Sequence, residues 1–412
     1  MKLRIKESFT TYNGLPKEIY ILFGARVITC LGGFILPLLT LILSQKLGMS
    51  ATKTGNFSAL LIMSQGPCLL LGGKLIDAFG EKKILVLCHV LGSFFYLMCG
   101  FINNHTLMLI FIVIASDLYT AASPAYQAMV ARLTTPENRK ASYSLIYLGI
   151  NIGMTVSPLI GGLLFKDYLQ VLFILDAATT LLSTYLIALY VRLPKKSRQN
   201  DTDAADCVDS GKRVSTFQAL KSVPVLLFFL LLLFVYDFTY IQWSFMLPLQ
   251  FGELYKENGA RFYSFLSVVN PVICTVFTPP LTRLTMKHHP LAVVTGGGLL
   301  YFGSYVLFAF AQSIPIFVLA GALYTFGEIL VVINIGAFIA DHSPGAHLGR
   351  MTAIRMFLQG TAGALGPLVM GHVISATNYR ISWLLTAAIV LAGAMGMLFL
   401  SKRDTKTMVS QV

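Results

Sequence analysis

Gly73-Lys74-Leu75-Ile76-Asp77-Ala78-Phe79-Gly80-Glu81-Lys82-Lys83 separates two apolar runs, residues 54–76 and 84–102. Its glycines permit a tight turn with close helix approach. Asp77, at a helix end, can accept backbone N–H bonds from the start of a neighbouring helix. Each flanking run has about the 20 apolar residues that a helix needs to cross a hydrocarbon layer about 30 Å thick. Two such runs joined by so short and basic a turn read as a pair of antiparallel membrane helices.

The composition extends that reading to the whole chain. Hydrophobic residues fill 56% of 412 positions and charged residues 12%, against roughly a quarter charged in a soluble protein. So long and apolar a chain cannot hide its surface in one water-soluble core. Runs of spanning length occur at 18–44, 54–76, 84–102, 106–132, 141–164, 171–193, 223–251, 260–283, 291–312, 314–340, 349–376 and 381–400. These twelve spans predict an all-α integral membrane fold. Span 1 is too long, and too poor in a small-residue cleavage site, for a cleaved signal peptide. Cys30, Cys68, Cys88, Cys99, Cys207 and Cys274 show no C-x-x-C spacing; they read as buried apolar residues, not as a disulfide framework or a metal site.

The net charge of +13 raises the question of nucleic acid, and its distribution answers it. If the twelve spans alternate, 24 of the 31 Lys and Arg residues fall on the side shared by both termini. The opposite side carries Lys46, Lys53, Lys166, Lys256, Arg261 and Arg380, and Arg26 lies within span 1. Cationic loops stay in the cytoplasm, so both termini are expected there. The charge reports topology, with a minor role in contact with anionic lipid, and no nucleic-acid partner is expected.

Residues 194–222 form the longest polar stretch, without apolar periodicity, and read as a cytoplasmic linker. They divide the chain into a six-span half at 1–193 and another at 223–400, followed by a cytoplasmic tail at 401–412. The halves repeat each other. Phe34-Ile35-Leu36-Pro37-Leu38 recurs as Phe245-Met246-Leu247-Pro248-Leu249 at an offset of 211, and Pro158 with Gly162 recurs as Pro367 with Gly371 at an offset of 209. Parallel halves related by an axis along the membrane normal characterise one large transporter class.

On these residues the chain resembles the major facilitator superfamily. The turn after span 2 is similar to that family's G-x-x-x-D-R-x-G-R-K loop: Gly73, Asp77, Gly80, Lys82 and Lys83 match, and Ala78 replaces the usual Arg. The resemblance implies that this loop is a hinge of the gate, with Asp77, Lys82 and Lys83 as gate residues and the start of span 11, near Leu348 to Thr352, as the expected partner of Asp77. Span 5 reads Gly149-Ile150-Asn151-Ile152-Gly153-Met154-Thr155-Val156-Ser157-Pro158-Leu159-Ile160-Gly161-Gly162. It is similar to the G-x-x-x-G-P-x-x-G-G helix of proton-linked antiporters, with Ser157 where Gly is usual, and its repeat copy keeps Gly363, Gly366 and Pro367. Small residues let helices meet backbone to backbone, and proline kinks them. The R-x-x-Q-G pattern of multidrug antiporters is absent from span 4, as is the E-x-x-E-R pattern of peptide carriers from span 1.

Ionisable groups at bilayer depth cost at least about 2.5–3.5 kcal/mol each and need a reason. The deep ones are Arg26 in span 1, Asp117 in span 4, Asp237 in span 7 and Glu328 in span 10. Arg26 to Asp237 and Asp117 to Glu328 are both 211 residues, the offset of the first repeat, so the four occupy two pairs of equivalent positions. The resemblance places spans 1, 4, 7 and 10 around a central cavity. Arg26 and Asp117 are then expected to form an ion pair. Asp237 and Glu328 have no base in their own spans, and two carboxylates at low dielectric cannot both stay ionised cheaply. One of them is expected to carry the coupled proton. A structural role, hydrogen-bonded at helix kinks, is the alternative for the acids, and snorkelling is the alternative for Arg26. His89, Asp176, Arg355 and His372, close to span ends, read as structural. Asn151, Asn270, Asn334 and Gln359 are candidate polar lining, although helix–helix hydrogen bonding explains such residues equally well.

Tyr236, Tyr240 and Trp243 fall at i, i+4 and i+7, one helical stripe. With Tyr119 and Tyr324 they could form a stacking wall for an amphipathic or cationic substrate, the alternative being ordinary packing. No Gly-rich phosphate loop, H-E-x-x-H or serine elbow appears, so neither an enzyme nor an ATP-driven pump is expected. The expectation is a monomeric, cofactor-free multi-pass transporter of the cell membrane, whose partners are a small-molecule substrate, protons and the lipid bilayer. Export by proton antiport is the first reading. Uptake by proton symport, and a lipid-translocating or non-transport role, are the alternatives.

Overall fold

The computed structural model describes residues 14–102, 104–194, 224–285, 287–342 and 348–409. Of the expected linker it describes only Pro194, and residues 410–412 of the expected tail lie outside the described residues as well. In chain order the helices are α1 (Lys17–Gly32), α2 (Ile35–Leu41) with a π turn at Ile42–Lys46, α3 (Ala51–Phe79), α4 (Glu81–Cys99), α5 (His105–Leu133), α6 (Pro136–Leu164), α7 (Leu169–Tyr190), α8 (Pro224–Tyr240), α9 (Gln242–Tyr255), a 3-10 turn at Lys256–Asn258, α10 (Gly259–Thr285), α11 (Pro290–Phe310), α12 (Ile314–His342), α13 (Leu348–Ala376) and α14 (Tyr379–Val409). No strand occurs among the described residues. In lipid, every backbone polar group must be satisfied within its own segment, and helices achieve this. The fold is an all-α membrane fold, as expected.

Eleven helical stretches among the described residues are long and apolar enough to cross a membrane. One of them, Pro224–Thr285, is 62 residues long. At about 1.5 Å per residue it would measure about 93 Å, enough for two crossings of a layer about 30 Å thick. Spans 7 and 8 are this stretch, with the 3-10 turn Lys256–Asn258 between them. The helix ends differ from the expected limits by a few residues, since capping residues extend helices beyond the apolar run. Asn104 accepts from Leu107 N at 3.1 Å, and Thr135 forms a capping box with Asn138.

Two compact units are present. One comprises Met1–Leu47, Leu60–Lys195 and Tyr255–Val268; the other comprises Gly48–Ala59, Lys196–Leu254 and Val269–Val412. In the first unit the main helix pairs are α1 with α6 and α7, and α4 with α5 and α7; in the second they are α8 with α13 and α14, and α11 with α12 and α14. These are the same pairings transposed by the sequence repeat. The repeated glycine motif makes matching close approaches. In the first unit a Cβ on Gly162 would meet Ser264 Oγ, and in the second a Cβ on its counterpart Gly371 would meet the Ala51 carbonyl oxygen at 2.6 Å. The turn between α3 and α4 has Gly80 at φ +91°, a conformation that L side chains rarely adopt.

Candidate functional site

In the second unit α8 carries Asp237 and Tyr240, and a turn at Ile241 separates it from α9. Tyr240 OH donates to Glu328 Oε1 at 2.8 Å. Asn270 Nδ2, from α10, donates to Glu328 Oε2 at 2.6 Å and to Thr325 Oγ1 at 3.1 Å. Each carboxylate oxygen of Glu328 therefore has a neutral donor, and no cation lies within ion-pairing distance among the described residues. The rings of Tyr240 and Trp243 both stack on Tyr324, with centroids 5.6 Å and 4.6 Å away and interplanar angles of 23° and 18°. Tyr324 OH donates to the Tyr240 carbonyl at 3.0 Å and so fixes the middle ring. The acid and three of the expected aromatic residues thus form one cluster.

Tyr236 belongs to the neighbouring packing. It is buried, its OH donates to the Val294 carbonyl at 3.2 Å, and its ring meets Tyr301 edge-on. The turn at Ile241 interrupts the stripe that the i, i+4, i+7 spacing implied.

Asp237 is placed differently from Glu328. Arg355 of α13 grips it in a two-pronged bridge, Nη1 to Oδ2 at 2.6 Å and Nη2 to Oδ1 at 2.9 Å. The expectation of two acids without a base fails here, because the base comes from a third helix. Arg355 stands near a span end, where snorkelling is routine, and this hid its role. Its counterpart at the 209 offset is Ile146, so the repeat gave no signal either. Asn270, expected as polar lining, is the second donor to Glu328.

In the first unit the expected Arg26–Asp117 ion pair is absent. Asp117 Oδ1 accepts from Ser64 Oγ at 2.9 Å. The Arg26 guanidinium lies 5.2 Å from the Tyr126 ring centroid, and its buried Nε has no hydrogen-bond partner. Tyr126 is nine residues beyond Asp117 on α5, about 13 Å along the helix axis. Tyr119 meets His89 and Tyr96 edge-on and shares a 3.0 Å hydrogen bond with Ser93, away from any stack of the kind found on Tyr324. Asp176, read as structural, accepts from the backbone N–H groups of Phe34 and Ile35 at 3.1 and 3.3 Å. It satisfies donors exposed by the break between α1 and α2.

Asn151 and Asn334 each donate to the carbonyl four residues back on their own helix, both at 2.8 Å, and Gln359 is exposed with no hydrogen bond among the described residues. Gly153 packs against Cys30 of α1, where an added Cβ would come within 2.3 Å of the cysteine Cβ. Gly366, where a Cβ would meet Ile241 at 2.2 Å, lies with Gly363 and Pro367 in α13; Pro158 and Gly162 lie in α6. At the α3–α4 turn, Gly73 meets open space, Asp77 and Lys83 are exposed, and Lys82 Nζ donates to the Val191 carbonyl at 2.9 Å. Most side chains of the expected partner segment of Asp77, near Leu348 to Thr352, are outside the described residues. The described cysteines are all free; Cys88 and Cys99 are buried as expected, Cys30, Cys68 and Cys274 are only partly buried, and Cys207 lies outside the described residues.

The sequence model of the Major Facilitator Superfamily matches residues 21–266 and 253–411. A Na(+), Li(+), K(+)/H(+) antiporter of Planococcus maritimus is 24% identical over 347 residues, covering 77% of this chain and 80% of its own. The quinolone resistance protein NorA of Staphylococcus aureus is 24% identical over 184 residues, covering 44% of this chain and 47% of its own. The crystal structure of the nucleoside transporter NupG superposes with a TM-score of 0.76 at 16% identity, over 93% of this chain and 99% of that one. That likeness shows the fold alone.

Proposed function

As this chain belongs to the Major Facilitator Superfamily, we propose that it is a proton-coupled carrier that exports a small, amphipathic organic compound across the cell membrane by alternating access. The supporting observation is the Glu328 carboxylate, held by Tyr240 and Asn270 beside the stacked rings of Tyr324 and Trp243. A carboxyl that meets only neutral donors can gain and lose a proton without breaking an ion pair. Tyr240 suits such an exchange, since its hydroxyl donates to the ionised acid and can accept from the protonated one. Asp237, gripped by Arg355, serves instead as a fixed strut between α8 and α13. Asp117, bonded to Ser64, and Asp176, bonded to the backbone N–H groups of Phe34 and Ile35, also meet only neutral donors, and the rings beside Glu328 make Glu328 the first choice. The Planococcus and Staphylococcus relatives, named as an antiporter and a drug-resistance protein, favour antiport and export. Rocking of two halves about a midplane site is the mode of transport proposed. In it both termini are cytoplasmic, the protein is a monomer, and the loop with Asp77, Lys82 and Lys83 is the gate hinge.

The test uses inverted membrane vesicles energised by respiration, with ethidium as the first amphipathic probe and further probes taken from a ligand-stability screen of the purified protein. Wild type is expected to accumulate the probe and to release protons from the vesicles as it does so. Glu328→Gln is expected to exchange the probe down its own gradient but not to concentrate it. Undiminished uphill accumulation by Glu328→Gln would place the coupled proton elsewhere.

A further inference from the structure

We propose that the groove at the α3–α4 turn binds one anionic phospholipid, with an acyl chain along its apolar wall and the phosphate on Lys82 and Lys83. The groove is open along one side, has a volume of about 660 Å³ and lies within the first unit. Its wall is Phe79, Val86, Leu87, Val90 and Leu193. Phe79, Leu87 and Val90 are 61%, 53% and 45% exposed, so the wall is open to an apolar chain. On α4, Lys83, Leu87 and Val90 fall at i, i+4 and i+7 and share a stripe. The stripe is cationic at the turn and apolar further along the helix. A phospholipid has the same order, with an anionic head at the interface and its chains deeper.

The charges around the groove favour an anionic head over a zwitterionic one. Arg132 Nη1 bridges Glu81 Oε2 at 2.7 Å, and its Nη2 donates to the Pro194 carbonyl, so these two charges cancel. Lys82 gives one hydrogen bond to the Val191 carbonyl, which holds its ammonium at the rim with two donors to spare. Lys83 is exposed and has no partner among the described residues. Two uncompensated cations therefore stand at the mouth of an apolar trough. Phe79 ends α3, Glu81 begins α4, Arg132 lies in the last turn of α5 and Leu193 follows α7, so four helix ends build the groove. By the charge distribution in the sequence this is the cytoplasmic side, the side on which anionic lipid attracts Lys and Arg. A headgroup carrying its own ammonium would bring a third cation to the same place.

The experiment is native mass spectrometry of the purified full-length protein from micelles holding equimolar phosphatidylglycerol and phosphatidylcholine. One phosphatidylglycerol should be retained in preference to phosphatidylcholine. Each lysine is expected to contribute about a fivefold preference. Lys83→Gln should therefore cut the preference about fivefold, and the double variant with Lys82→Gln on the order of twentyfold. Leu87→Trp, which fills the trough and leaves both cations, should also displace the lipid. Lys74→Gln, an exposed cation on the same turn outside the groove lining, should leave retention unchanged. The proposal is overturned by equal retention of the two lipids by wild type, by retention that persists in the double variant or in Leu87→Trp, or by a loss in Lys74→Gln as large as in Lys83→Gln. Monodisperse elution of each variant shows that it is folded, so every outcome bears on the groove.

Discussion

Replacing Arg355 with Met tests the pairing that most changes the reading of the site. The bridge to Asp237 is two-pronged, at 2.6 and 2.9 Å, with side-chain exposures of 10% and 13% for Arg355 and Asp237. Removing one partner of a buried pair strands the other charge and costs about 3–5 kcal/mol. Arg355 Nε is itself buried without a partner, and its removal offsets part of that cost, so about 3 kcal/mol is the working figure. For a unit of this size each kcal/mol moves the midpoint by roughly 2–4 °C, which gives a fall of roughly 6–12 °C. The double variant Asp237→Leu with Arg355→Met removes both charges, and well-packed apolar replacements for a buried pair are often neutral. It should regain at least half of the loss. The assay is the apparent Tm of purified protein by intrinsic fluorescence, at one heating rate because membrane proteins unfold irreversibly on heating. Arg355→Met within about 2 °C of wild type, or a double variant no more stable than the single, would refute the account of this pair as a buried strut.

Tyr240→Phe keeps a ring to stack on Tyr324 and deletes the donor to Glu328. Vesicle assays should show uphill accumulation of ethidium impaired and its binding nearly unchanged, whereas Tyr240→Leu should impair both. Gly55→Ala forces a Cβ to within 2.2 Å of the Pro367 carbonyl oxygen and should cost about 1–3 kcal/mol, as overpacking does. Gly303→Ala, where the new Cβ meets nothing within 4 Å, should instead gain about 0.5–1 kcal/mol. Apparent Tm measurements on the two variants check the contrast. A reporter fused after Arg198 should read cytoplasmic and one after Lys256 external, and the reverse pair of signals would overturn the topology drawn from the loop charges.

Hydropathy alone placed the membrane helices, because a bilayer imposes a length and an apolar composition on any segment that crosses it. Even the eleven-stretch count hides the same crossings, as the Lys256–Asn258 turn divides a stretch too long for one. The repeat was legible too, and its consequence, the same helix pairings in both units, follows from two similar sequences meeting one solvent. The cluster around Glu328 was legible in most of its members but not in its partnerships. Glu328, Tyr240, Trp243 and Tyr324 could be named from charge at depth and from spacing, since a buried acid or an aromatic stripe is costly or conspicuous in one dimension. Which donor meets which acceptor depends on the rotation of each helix about its axis and on its neighbours, and neither is periodic in sequence. Charge at equivalent positions of the repeat pairs Arg26 with Asp117 in the sequence. Helix packing set Arg26 over Tyr126 instead, and it brought Arg355, whose counterpart is Ile146, onto Asp237. Tertiary structure alone decided that Asp237 is neutralised while Glu328 meets only neutral donors, because an ion pair is a property of two surfaces in contact and not of either helix by itself.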